Sequence, residues 1–323
     1  MSDTQYAYAV ARIRSKELSL LNTQALEQLL SAKDEEECLS LLHSRGWGDA
    51  KSYDSPEKML EAEREKTWAL LRELLDNLSD FSVFFYGNDY HNLKAAIKTV
   101  YSDTDPQGIF LSGGTVEPQT ILQAVRERDY SLLPEAMRAP AQEAFDVLLH
   151  TGDGQLCDFI LDRASLVAVK NAGEASKNDL IREYAELTVA AADIKIAARA
   201  CATGKPLSVI LRALAPCDSL SVEELAHAAA QGQEKFYQYL HTTPYADAQD
   251  ALRESVSAFE RWCDNRILRA IRPQKYNPLT IGPLVAYYLA RENEIRAVRM
   301  ILSGKRNHLP EQSVRERLRE MYV

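Results

Sequence analysis

The chain has few of the residues that interrupt or cross-link a fold. Of its 323 residues, only 13 are glycine, 12 are proline and five are cysteine, which excludes collagen-like, low-complexity and disulfide-framed classes. The cysteines are scattered, odd in number and form no C-x-x-C pair. This pattern indicates reduced cysteines that pack as small hydrophobic side chains.

Long hydrophobic runs and excess positive charge are also missing. No apolar run approaches the roughly 20 residues of a membrane helix, and the N-terminal stretch is polar and amphipathic. We therefore expect neither a membrane span nor a secretory signal. Lys and Arg total 38 against 47 Asp and Glu, for a net charge of −9. Because nucleic-acid surfaces depend on clustered cations, we expect no nucleic-acid partner.

The sequence contains no convincing catalytic, metal or nucleotide motif. H-E-x-x-H and G-x-S-x-G are both absent. His150 could reach one metal ion together with Asp153 and Asp158, but no second histidine stands at ligand spacing, so we expect surface or capping roles. Residues 203–205 (TGK) imitate a phosphate loop without its first glycine and its hydroxyl residue, and we predict a helix end there. We predict no catalytic residue, no metal and no cofactor.

What the chain does contain is helical periodicity from end to end. No stretch alternates as a strand does, and Val and Ile are much rarer than Ala and Leu, which favours helix over sheet. Start signals include Ser55 before Pro56, a capping box at 221–224, and Pro244 at the head of a long helix that reaches about Ile271. The predicted fold class is all-α.

The strongest helical pattern spans residues 282–305. Pro283 fits a first helical turn, and apolar residues recur at steps of three and four. We expect Gly304 to end the helix in a left-handed conformation. The charged residues Arg291 and Glu292 interrupt the apolar stripe, which indicates a pairing site or the rim of an interface.

One short pattern occurs three times at intervals of 101 residues, centred on Leu93, Ile194 and Ile295. The residue before each centre is polar and the residue after it is basic; these are Asn92, Asp193 and Glu294, and Lys94, Lys195 and Arg296. Further basic residues follow at Lys98, Arg199 and Arg299. Two equal spacings that carry the same polar–apolar–basic triplet indicate a triplication.

The triplication predicts three helical repeats of about 100 residues each, at 1–110, 111–212 and 213–323. Segments 102–118 and 205–220, which contain Pro and Gly, are the predicted boundaries. Three equal units can close around a pseudo-threefold axis, which leaves a central hollow, or stack as a short solenoid.

These residues resemble a known family, the C subunits of the bacterial and archaeal V/A-type rotary ATPases, which are related to the eukaryotic d subunit. The resemblance covers essentially the whole chain and rests on residues 11–14 (ARIR), 89–94 (DYHNLK) and 282–305. The middle copy departs most, because Asp193 stands where an Asn is expected and Leu187 replaces a Tyr.

The resemblance implies three similar helical subdomains arranged as a funnel with pseudo-threefold symmetry. The funnel would sit on the membrane rotor ring (built of K, L or c subunits) and receive the D and F subunits of the central shaft. It would link ATP hydrolysis or synthesis to proton or sodium transport without catalysing a reaction. The resemblance also implies a cytoplasmic protein that is attached peripherally to the inner face of the membrane through the complex, and that is monomeric when isolated.

The repeated charges are the candidate partner interface, which we expect near the subdomain seams or the cavity wall. The candidate residues are Lys94, Lys98, Lys195, Arg199, Arg291, Glu292, Arg296 and Arg299. The alternative is that they are ordinary solvated helix charges. Two other functions stay open: an unrelated helical-repeat scaffold that binds proteins in an open groove, and a helical enzyme whose site no motif reveals.

Overall fold

The computed structural model describes residues 6–49, 55–104 and 108–323. Within these ranges the chain is helical and contains no β-strand, which confirms the all-α prediction. No helix in the described part of the chain is both long and apolar enough to cross a membrane. The chain divides into two compact units, Met1–Leu78 with Ala251–Val323, and Ser79–Asp250.

Sixteen α-helices follow one another along the described chain. They are α1 (Ala7–Glu17), α2 (Thr23–Ser31), α3 (Glu35–Ser44), α4 (Pro56–Leu74), α5 (Tyr86–Ser102), α6 (Pro118–Glu127), α7 (Glu135–Thr151), α8 (Gly154–Ala175), α9 (Asp179–Ala202), α10 (Leu207–Ala213), α11 (Val222–Gln231), α12 (Gln233–His241), α13 (Gln249–Glu254), α14 (Val256–Ile271), α15 (Gly282–Arg306) and α16 (Glu311–Arg315). Short 3-10 helices lie at Ser79–Phe84, Tyr130–Leu132, Ala246–Ala248 and Arg272–Tyr276.

The first unit is built around α15, the helix predicted over 282–305. This helix packs against α1 to α4 and against α14, and both its faces are buried over much of its length. Its apolar stripe joins one core with side chains of α2, α3 and α4, among them Leu29, Leu42, Met59, Ile295, Val298 and Ile301. Helices from both ends of the chain therefore share one hydrophobic core.

The second unit places α5 and α9 in comparable positions. Helix α5 packs against α6, α7 and α8, while α9 packs against α8, α11 and α12. The core around α5 includes Leu93, Ile97, Ile121, Val125 and Leu161. Both long helices of the second unit therefore pack against α8.

Capping residues begin several helices as predicted, but one predicted helix is interrupted. Ser221 Oγ accepts a hydrogen bond from the Glu224 N–H at 3.2 Å, as expected of the capping box. The single helix predicted from Pro244 to about Ile271 was wrong, because a 3-10 turn and α13 come first. Ser255 then begins α14 by accepting from the Ala258 N–H at 3.0 Å, which satisfies a free donor of the new helix.

The two Gly-Lys helix ends differ. Gly204 follows α9 in a left-handed conformation with φ +62°, and the helix end predicted at residues 203–205 is confirmed. The same prediction for Gly304 was wrong, because α15 continues to Arg306 and contains this glycine. A Cβ at Gly304 would lie 2.5 Å from Val314 Cγ2. The glycine is needed there for the close approach of α16, not for its backbone freedom.

Candidate functional site

The charged interruption in α15 is part of a buried ion network of the first unit. Arg291 donates from Nη1 to Glu294 one turn onward and from Nη2 to Glu63 of α4. Its guanidinium also lies over the ring of Trp47, 5.0 Å from the centroid. Glu63 in turn accepts from Lys66 Nζ at 2.6 Å. The sequence predicted either a pairing site or the rim of an interface at this point of α15, and in the structure Arg291 pairs with acidic residues.

Burial controls the ionisation of this network. Desolvation raises the pKa of Glu294, and the nearby Arg291 charge with the Leu21 N–H partly opposes that rise. Burial by itself would lower the pKa of Arg291, but Glu294, Tyr287 and Glu63 outweigh it, so the pKa of the guanidinium is raised. Arg291 therefore stays charged and holds α15 against α4.

Glu292 connects the same two helices closer to solvent. Its carboxylate accepts from Arg64 Nε at 2.8 Å and from Arg64 Nη2 at 3.0 Å. This two-bond arrangement matches the planar guanidinium to the carboxylate and fixes both side chains. Neighbouring charges on α15, Arg291 and Glu292, thus both bind residues of α4.

The aligned polar residues of the three copies make equivalent backbone contacts. Asn92, Asp193 and Glu294 are each at most 1% exposed, and each accepts a hydrogen bond from a main-chain N–H. The donors are Leu111 before α6, Ala215 before α11 and Leu21 before α2. In the third copy the donor lies near the N-terminus, so this contact joins the segment before α2 to α15.

The basic residues of the first copy pair with acids of α8. Lys94 Nζ lies 2.5 Å from Asp162 Oδ1, and Lys98 Nζ lies 2.6 Å from Asp158 Oδ1. Both lysines are partly exposed. These ion pairs add links between α5 and α8, which also share the apolar core of the second unit.

The basic residues of the other two copies are exposed. Lys195 and Arg199 lie on the open face of α9, and Arg299 lies on that of α15. Arg296 pairs with Asp264 of α14 at 2.6 Å. Of the eight predicted interface residues, four lie in each unit, and Arg291 is buried.

Sequence reasoning missed Glu63, which is 4% exposed. Helix α4 has acidic residues along its solvated face, and Glu63 looks like one more. The spacing of α4 could have predicted the burial of Glu63, because Glu63, Thr67 and Leu71 follow one another at steps of four and lie on the buried side of the helix.

A polar cleft of about 440 Å³ opens beside this network in the first unit. Its lining includes Arg12, Lys16, Arg45 and Lys66. Lys66 is engaged by Glu63 and two main-chain carbonyls, and Arg12 pairs with Glu73 at 3.0 Å. Within the described ranges, no group of three His, Cys, Asp or Glu side chains is placed to hold a metal ion. The cleft thus presents mainly paired charges.

Comparison with known proteins extends over both units. The family model of the ATP synthase (C/AC39) subunit matches residues 9–317. The C subunit of the V-type sodium ATPase of Enterococcus hirae is 22% identical over 321 residues, which cover 96% of this chain and 97% of that protein. The C subunit of the A-type ATP synthase of Desulfurococcus sp. (strain SY) is 22% identical over 331 residues, with 97% and 90% covered. The C subunit of the V-type ATP synthase of Thermus thermophilus is 24% identical over 236 residues, 71% of each chain.

Proposed function

The chain belongs to the ATP synthase (C/AC39) subunit family, and on that premise we propose that it is a non-catalytic central-stalk subunit. It couples the shaft formed by the D and F subunits to the membrane rotor ring. Rotation passes through it, while ATP chemistry and the transport of protons or sodium ions take place in other subunits. Its place is cytoplasmic, held at the inner face of the membrane by the complex.

The observation that carries this proposal is the extent of the family match, which runs from residue 9 to residue 317. The chain and its relative from the sodium ATPase of E. hirae cover each other almost completely. A shared length without a large insertion on either side supports a shared role in a complex of the V/A type.

The packing of α15 also supports the proposal, because a rotary coupling has to resist twisting. Two ion pairs, Arg291–Glu63 and Arg64–Glu292, hold α15 against α4. Both lie beside a close-packed apolar core, and such interiors deform little under load.

The three similar backbone contacts support the proposed division into three repeats. Asn92, Asp193 and Glu294 occupy the same register position on α5, α9 and α15, and each binds the segment that begins the next set of helices. Three such contacts at one fixed sequence interval are what a repeated helical unit predicts.

Reconstitution tests the proposed coupling. The complex is assembled in vesicles with and without this protein, and both ATP hydrolysis and ATP-driven ion uptake are measured. We expect hydrolysis by the catalytic head to persist without the protein while ion uptake is lost, and we expect D and F to co-purify with the tagged chain. Full ion uptake in its absence, or failure to retain D and F, would contradict the proposal.

A further inference from the structure

Asp193 is a carboxyl group at a position where the first copy has an amide. Asn92 makes two bonds to the main chain of Leu111: its Oδ1 accepts from the N–H at 2.8 Å, and its Nδ2 donates to the carbonyl at 2.9 Å. Asp193 repeats the first bond, since its Oδ1 accepts from the Ala215 N–H at 3.0 Å. Its Oδ2 is buried and has no hydrogen-bond partner among the described residues.

Asp193 can donate a second hydrogen bond, as Asn92 does, only if its carboxyl group carries a proton. An ionised carboxylate can only accept hydrogen bonds, whereas a protonated one has an O–H that can donate to a carbonyl as the Asn amide does. A buried polar atom left without a partner is costly. The site therefore favours the form of Asp193 that carries a donor.

We propose that Asp193 is protonated in the folded chain and makes two hydrogen bonds to Ala215, the second donated from Oδ2 to its main-chain carbonyl, and that loss of this proton releases Ala215 from α9. These two Asp193–Ala215 hydrogen bonds, called the latch below, form a pH-sensitive connection between α9 and the segment that leads into α11. It concerns the internal order of the second unit and is independent of the proposed coupling role.

The surroundings of Asp193 set the pH at which the latch opens. Burial raises the pKa of Asp193 to about 7, while the Ala215 N–H and Arg163 oppose the rise and Glu186 adds to it. Arg163 of α8 is occupied by the Leu214 carbonyl, to which its Nε donates at 2.8 Å. Glu186, on α9 itself, accepts from the N–H groups of the neighbouring segment.

Two further titratable groups lie at the same segment. Burial raises the pKa of the Cys217 thiol to about 11. From α12, Tyr239 bonds to the main chain of Ser221, and burial raises the pKa of its hydroxyl. Both therefore stay neutral while Asp193 loses its proton.

The direction of the pH effect follows from the raised pKa. The folded chain holds this proton more tightly than the unfolded chain does, so the stabilising contribution is present at low pH and lost as pH rises through about 7. Between the ordinary carboxyl pKa and about 7, each pH unit increases the ratio of released to bound Ala215 about tenfold, and above about 7 the ratio is constant.

Hydrogen exchange of the full chain tests the latch. We expect the protection factor of the Ala215 amide, corrected for the intrinsic exchange rate, to fall about tenfold between pH 5 and pH 6 and to level off above about pH 7. Asp193→Asn supplies a permanent donor and should keep the protection high at both pH values. The reciprocal substitution, Asn92→Asp, should make the protection of the Leu111 amide depend on pH and leave that of the Ala215 amide unchanged.

A second measurement reads the proton itself, through the ¹³C chemical shift of the Asp193 carboxyl during a pH titration. A midpoint near 7 supports the latch. Ionisation complete below pH 5 overturns it, as does an equal loss of Ala215 protection with pH in the wild type and in Asp193→Asn.

Discussion

Arg291 of α15 and Glu63 of α4 are 228 residues apart in the chain, and they form an ion pair in which each side chain is less than one-tenth exposed. The pair is tolerated in the interior because Glu294 and Lys66 supply further opposite charges. It joins a helix near the C-terminus to a helix near the N-terminus. The two ends of the chain are thereby held in one unit.

Removing the cation should destabilise the first unit strongly. Arg291→Met leaves Glu63 and Glu294 buried with too little positive charge, and we expect the free energy of unfolding to fall by about 3–5 kcal/mol. Urea denaturation measures this. The control is Arg296→Met, which removes an exposed pair with Asp264 and should cost at most about 1 kcal/mol. Equal losses in the two variants would contradict the structural role of the buried network.

A methyl group at Gly304 should push α16 away from α15. The added Cβ would lie 2.5 Å from Val314 Cγ2, and we expect a loss of about 1–3 kcal/mol in denaturation experiments. Gly87→Ala, in the first turn of α5 with nothing within 4 Å, should be neutral or stabilising. Adding Val314→Ala to Gly304→Ala should recover part of the loss. Lack of recovery would show that the contact with Val314 is not the cause.

The N-cap at Ser255 should be worth about 1 kcal/mol. Ser255→Ala removes the acceptor for the Ala258 N–H, and we expect a loss of about 0.5–2 kcal/mol in the free energy of unfolding. Ser255→Asp keeps an acceptor and should retain most of the stability. If the Ala and Asp variants lose equal stability, the interruption before α14 does not depend on this cap.

The ion pairs of Glu320 should add a small stabilisation that disappears in acid. Hydrogen bonding from Arg269, with help from Arg272, lowers the pKa of Glu320 in the folded chain. Its contribution is therefore present above the unfolded pKa and is lost as pH falls through the folded value. Glu320→Gln should cost below about 1 kcal/mol at pH 7 and nothing measurable at about pH 3. A pH-independent cost would rule out an electrostatic origin.

The repeated basic residues should contribute to binding the shaft. Lys98→Glu, Arg199→Glu and Arg299→Glu combined should weaken recovery of D and F in pull-downs at least about tenfold, because each reversal replaces attraction with repulsion. The control combines Arg126→Glu, Lys177→Glu and Lys235→Glu, three exposed positions with the same change in net charge. Unchanged binding in the first variant would remove these residues from the interface.

The long helices could be predicted because helix formation depends on residues within four positions of one another. The three aligned centres, Leu93, Ile194 and Ile295, are all buried as their spacing requires. The predicted family is confirmed by the match over residues 9–317. The division into three repeats and the partner-interface roles stay predictions.

One prediction of a helix end was wrong because a distant helix determines the role of the residue. Glycine is common at helix ends, so Gly304 was predicted to end α15. In the structure the helix continues, and the glycine leaves room for Val314 of α16. The helix predicted from Pro244 failed for a local reason instead: the backbone of Ser255 is extended, and its side chain begins a new helix, α14.

The sequence by itself determined the helical class, the position of α15 and the three equivalent polar–apolar–basic triplets. Only the tertiary structure decided which charges are internal: Arg291 and Arg296 are both arginines of α15, yet one is buried against α4 and the other is exposed. The reason is physical. Helical periodicity is a local property of the chain, whereas the burial of a charge and its choice of partner depend on a side chain such as Glu63, more than two hundred residues away.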